Sequence, residues 1–178
     1  MASALPPAAT KLLPEPVRTA GILYNSGNVL LFLTPFLLGQ EMSLTGTFAG
    51  NPLPPIAACM FFAAGIAYSL GHFRTGNRLS ATAALLLAID LFMRGHLLAG
   101  ATVLLLHAGG KFIGSFPEFF GRVLGERAPS RASGFGPMIS RIPVAADVVR
   151  SGNWLLGIAC ALWLIADLCL AHANSSHD

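Results

Sequence analysis

Three ionisable side chains stand deep inside apolar runs of this sequence: Asp90, His107 and Asp167. Burying a charge or an imidazole among aliphatic residues is costly, so each is a candidate functional group. Asp90 precedes Arg94 by four residues, a spacing that puts both on one helix face, where they can pair and reach outward together. Asp167 has no cation at that spacing; His172 lies about one turn further on. A third acid, Glu41, joins them through a repeated pattern. The triplets Ser26-Gly27-Asn28, Thr75-Gly76-Asn77 and Ser151-Gly152-Asn153 each precede an apolar run, and each is followed at nearly the same distance by Glu41, Asp90 or Asp167. Two helical hairpins and a fifth helix, related as a parallel repeat, would carry these carboxylates to one mouth of a bundle. There Glu41, Asp90 and Asp167, modulated by Arg94, form a polar site that attracts a cation or relays a proton. The plainer explanation is that Ser, Thr and Asn cap helices and that acids mark where a span leaves hydrocarbon.

The histidines carry a second reading. His107 lies well inside one apolar run, and His72, His96 and His172 lie near the ends of others. Neutral imidazoles from neighbouring helices ligate haem iron, and four of them can hold two haem b groups. The competing use is a hydrogen bond to an adjacent helix.

Other chemistries lack their residues. The sequence has no H-E-x-x-H, no G-x-S-x-G and no phosphate-binding loop, so an enzyme is not expected. The net charge of +3 comes without a basic cluster interleaved with aromatics, which argues against nucleic acid as a partner. Cys59, Cys160 and Cys169 are odd in number, form no C-x-x-C pair and sit in apolar runs as small core residues.

The elements that must position these groups follow from composition. Of 178 residues, 54% are hydrophobic and only 11% charged, too few charges to cover the surface of a soluble domain of this size. An all-α membrane protein with the lipid bilayer as its solvent is the fold class expected. Five apolar runs are candidate spans: 21–39, 55–71, 79–93, 97–113 and 154–171. Crossing the hydrocarbon takes about 20 apolar residues, so the short third run makes a re-entrant pair of third and fourth helices the alternative. Alternating five spans places Lys11, Arg18, Arg74, Arg78, Lys111, Arg122, Arg127, Arg131, Arg141 and Arg150 on one side and Arg94 on the other. Positive charge is retained in the cytoplasm. The expected order is a cytoplasmic N-terminal segment (1–20), a four-helix membrane region (21–114), a cytoplasmic loop (115–152), a fifth helix (153–172) and an external tail (173–178). The expected location is a bacterial inner membrane.

Within the loop, Ser115 and Glu118 have capping-box spacing, and Phe116, Phe119 and Phe120 share a face with Val123 and Leu124. This predicts a short amphipathic helix lying in the membrane interface. The Ser/Gly/Pro/Arg stretch 128–143 reads as irregular loop, a candidate docking segment. Function is then expected to be that of a scaffold or accessory subunit that packs with other membrane subunits or itself. A small cation or proton transporter and a haem-b electron carrier are the alternatives.

Overall fold

The computed structural model describes residues 15–38, 52–150 and 154–175. Glu41, most of the N-terminal segment, the end of the tail and the His172 side chain lie outside the described residues. Among the described residues the chain is all-α. The helices are α1 (Glu15–Leu38), α2 (Leu53–Ser69), α3 (Phe73–Met93), α4 (Leu97–Ser115), α5 (Pro117–Leu124), α6 (Ala128–Arg150) and α7 (Trp154–Ser175).

Local chemistry sets several boundaries. α2 and α5 carry proline in their first turn, where no intrahelical N–H is lost. α2 and α3 end in the same way. Gly71 N–H donates to the Tyr68 carbonyl and His72 N–H to that of Ala67; Gly95 and His96 repeat this with Phe92 and Leu91. Each closure needs a left-handed residue, supplied by Gly71 (φ 77°) and Gly95 (φ 82°). The resulting turns are short enough to force α2 against α3 and α3 against α4 as antiparallel neighbours.

The loop expected over 128–143 is instead the first two-thirds of α6, a correction with a tertiary cause. Its Gly and Pro content lowers helix propensity, but its small residues let two backbones meet. A Cβ at Gly136 would strike the Leu106 carbonyl of α4, and one at Gly110 of α4 would strike the Ala132 carbonyl of α6. Pro137 and Pro143 lie inside the helix, and the Ser140 hydroxyl donates to the Pro137 carbonyl at 2.7 Å. Neighbouring packing and Ser side chains are what make such prolines tolerable.

The long helices form a closed ring. α1 packs on α2, α2 on α3, α3 on α4, α4 on α6, α6 on α7, and α7 returns to α1. Direction alternates around it. Along the α1–α7 seam, Tyr24 meets Asp167 whereas Asn28 meets Trp163, so the two helices are antiparallel. The expected parallel repeat has α7 running with α1, so α7 is not a third unit of it. The expected five-span bundle is replaced by a coarser statement: α3 and α4 are long and apolar enough to cross a membrane, and Ile56–Ser69 and Gly157–Cys169 are shorter apolar helices.

Residue size and polarity are sorted inside out. The interior is built on Ala58, Ala84, Ala88, Ala159 and Ala166, with Leu87, Leu91 and Val103 between them. Large aliphatics point outward instead, including Ile22, Ile66, Ile89, Leu98, Leu105, Ile142, Ile158 and Leu168.

Candidate functional site

The buried polar side chains converge on one region of the ring. α1 contributes Tyr24 and Asn28, four residues apart and so on one face. α7 contributes Asp167 and Trp163 by the same spacing, and α6 contributes Arg141. The Tyr24 hydroxyl donates to Asp167 Oδ1 at 2.8 Å. Arg141 donates from Nη1 to Asp167 Oδ2 and from Nη2 to the Tyr24 oxygen. Its guanidinium carbon stands 5.0 Å from the Tyr24 ring centroid and 5.6 Å from that of Trp163. All three members of this triad are buried, Asp167 to 1% exposure. Desolvating one charge alone would be prohibitive; pairing it, with the second carboxylate oxygen and an aromatic face also engaged, is what makes burial tolerable.

Two further layers hold the triad. Trp163 Nε1 donates to Asn28 Oδ1 at 3.1 Å, and Asn28 Nδ2 donates to the Phe61 carbonyl at 2.9 Å, which ties α7 to α1 and α1 to α2. The Tyr68 ring lies 6.0 Å from that of Tyr24. The Tyr68 hydroxyl donates to Asn77 Oδ1 at 2.8 Å, and Asn77 Nδ2 donates to the Gly114 carbonyl at 3.0 Å. Lys111 reaches the same layer, with its ammonium 5.0 Å above the Tyr68 ring.

Beside these layers is a small cavity of about 40 Å³ whose surface is mostly apolar, with Phe61, Leu87, Val103 and Val144 in its wall and Tyr24, Asn28, His107, Ser140, Arg141 and Trp163 at its border. α4 is distorted beside it. Residues Val103–Ala108 form a π-helical segment, and both Val103 and His107 line the cavity. Such segments are rare and concentrate at functional sites. No protein family, curated protein or solved structure was found to match this chain. The reading of the site therefore rests on its own geometry.

The residues singled out from sequence separate in space. Asp167 belongs to the triad. Asp90 is buried and accepts from Arg94 Nε at 2.9 Å, near the C-terminal end of α3. Asn77 lies in the Tyr24–Tyr68 layer, and Asp90 is thirteen residues beyond it, about 20 Å along the helix. Asp90 and Asp167 consequently do not share a mouth, because α7 runs opposite to α3. Among the histidines, His72 is exposed before α3 and His96 half-buried before α4. His107 is buried, 3.2 Å from the Ser80 hydroxyl through Nε2 and 5.5 Å from the Phe61 ring. Among the described residues no three His, Cys, Asp or Glu side chains gather as a metal site.

Phe116, Phe119 and Phe120 lie on and just before α5. Phe119, Val123 and Leu124 are exposed, whereas Phe120 packs edge-on to Phe112 at 6.0 Å. Arg74 pairs with Glu118 and Arg78 stands 5.2 Å from the Phe116 ring, fastening α5 to the start of α3.

Sequence reasoning missed Arg141, Tyr24, Asn28 and Lys111. A signal for Tyr24 and Asn28 was present, since two polar groups four residues apart interrupt an apolar run. Arg141 had one too: Met138, Ile139 and Ile142 flank it inside the stretch read as loop.

Proposed function

We propose that this chain is an integral membrane protein whose six long helices enclose a polar site, and that it carries a small polar solute across the bilayer through that site. The observation that carries the reading is the buried Arg141–Asp167–Tyr24 triad beside an internal cavity, inside a ring whose outer faces are apolar. Ionisable groups at membrane depth face bundle interiors or pathways and are functional by default. A small cavity bordered by Arg141 and His107, next to a π-helical segment able to change its hydrogen bonding, supports a solute site with a movable wall.

Lengths are compatible with this. α1, α6 and α7 have 24, 23 and 22 residues, which at about 1.5 Å per residue match a hydrocarbon core of about 30 Å. α6 is the least apolar of them, and in its second half Ser140 and Arg141 are buried while Ile139 and Ile142 are exposed. Six crossings return the C-terminus to the N-terminal side. Seven of the eleven Lys and Arg residues then lie on that side, Arg94 and Arg150 on the other, and Lys111 and Arg141 in the interior. The bias still places the N-terminus in the cytoplasm, and the C-terminus with it.

The test is solute flux into liposomes containing the purified full chain. Arg141→Met and Asp167→Asn should each reduce it at least tenfold in folded protein; flux unaltered by both removes the reading. A subunit role within a larger assembly is the second reading, favoured by Asn25 and Ser26 beside an outer groove on α1 with Ile22, Val29 and Leu30. Polar groups on a lipid-facing helix side favour a helix partner.

A further inference from the structure

Five exposed arginines gather at one end of the ring. Arg74 and Arg78 stand in the first two turns of α3, Arg122 in the last turn of α5, and Arg127 and Arg131 where α6 begins. Two acids share this surface. Glu118 is taken up by Arg74, and Glu126 forms no ion pair among the described residues. Arg78 stands over the Phe116 ring, while Arg122 and Arg131 pair with no carboxylate among the described residues. Five guanidiniums against two carboxylates leave the surface cationic.

The α5–α6 corner gives that charge a shape. α5 ends at Gly125, whose carbonyl accepts from Ala128 N–H at 3.0 Å, so α6 starts within a single tight turn. Arg131 N–H donates to the Arg127 carbonyl at 3.1 Å, which puts the two arginines one helical turn apart on one face. Both border an open groove together with Leu124 and Gly125. Phe119 and Val123 extend its apolar side back along α5, at 63% and 64% exposure. A guanidinium is a planar fork that matches phosphate oxygens, and two of them one turn apart can flank a single phosphodiester. A soluble phosphate would meet the arginines but leave Leu124, Val123 and Phe119 in water. A phospholipid satisfies both, because its phosphate adjoins its acyl chains. A zwitterionic headgroup brings its own ammonium to a surface already in cationic excess; an anionic one does not.

We infer that the α5–α6 corner binds an anionic phospholipid, its phosphate between Arg127 and Arg131 and its acyl chains along Leu124 and Val123. This rests on the membrane reading above and holds whether or not the protein carries a solute. Arg122 and Arg78 add to the field that draws the headgroup in, and Glu126 opposes it. Near an anionic leaflet each basic residue changes association by roughly fivefold.

The experiment uses the purified full chain in a neutral detergent. Phosphatidylglycerol or phosphatidylcholine with identical acyl chains is titrated in, and native mass spectrometry counts the bound lipid. Phosphatidylglycerol should half-saturate at a concentration roughly tenfold lower. Arg131→Gln should reduce that preference by roughly fivefold, and Arg127→Gln combined with Arg131→Gln should abolish it. Arg18→Gln removes an exposed cation of α1 and should leave the preference intact. Arg131→Lys, which keeps the charge and loses the fork, should recover only part of it. Equal binding of the two lipids, or equal losses from Arg131→Gln and Arg18→Gln, would overturn the inference. So would displacement of the lipid by soluble glycerol phosphate at the same concentration, since the apolar wall would then contribute nothing. Reconstitution separates the site from the membrane reading. A chain that enters phosphatidylcholine bilayers without any headgroup preference retains that reading and loses the site, whereas a chain that enters neither bilayer loses both.

Discussion

Arg141 of α6 and Asp167 of α7, 26 residues apart in the chain, meet as a buried ion pair that Tyr24 completes from α1. Three helices are thereby fastened by one guanidinium. Removing either charge leaves the other stranded, at a cost on the order of 3–5 kcal/mol. Arg141→Met and Asp167→Leu should each lower the unfolding temperature sharply, whereas the double variant recovers most of the loss. Thermal unfolding of all three in one detergent checks this, and strictly additive losses would contradict a coupled pair.

Close approach of α4 and α6 gives a second expectation. Gly136→Leu and Gly110→Leu should reduce stability by several kcal/mol or prevent folding, because each Cβ would strike a backbone carbonyl that cannot move aside. Gly134, in the same helix, meets nothing within 4 Å. Gly134→Ala should therefore be neutral or stabilising by up to about 1 kcal/mol, as an Ala replaces a helical Gly. Similar losses at Gly134 and Gly136 would argue against the α4–α6 contact.

Helix count decides the position of the C-terminus. A reporter fused after Asp178 should be active in the cytoplasm, on the same side as one fused near Lys11. Five crossings predict opposite sides. Fusions within the α6–α7 junction at Ser151 should report the external side, and a cytoplasmic signal there would remove α6 as a crossing segment.

The short helix α5 presents Phe119, Val123 and Leu124 outward while Phe120 is held against Phe112. Spin labels at Val123 should report interfacial depth in bilayers, and Phe119→Ser with Leu124→Ser should shift that label toward water. Phe120→Ser should act differently, lowering stability, because it breaks a packed aromatic pair. A fully aqueous label in the parent would mean that α5 does not lie on lipid.

The sequence by itself determined the helical class and two of the candidate spans, since the apolar runs 79–93 and 97–113 fall within α3 and α4, both long and apolar enough to cross a membrane. Those depend on composition and on nearby residues. Asp90 and Arg94 were legible as a pair for the same reason, being four residues apart on one helix. The α5 helix could be seen in its Phe spacing. Only tertiary structure decided the rest. α6 reads as a loop by propensity, and it is helical because Gly136 and Gly110 allow two backbones to touch across the fold. Making α6 a helix reverses α7 relative to the expected topology, which moves Asp167 away from the level of Asp90 and toward Tyr24. Residues 117 positions apart, Tyr24 and Arg141, then meet in one hydrogen-bonded cluster. Local periodicity cannot encode such a meeting, since it depends on which helices become neighbours and in which direction each one runs.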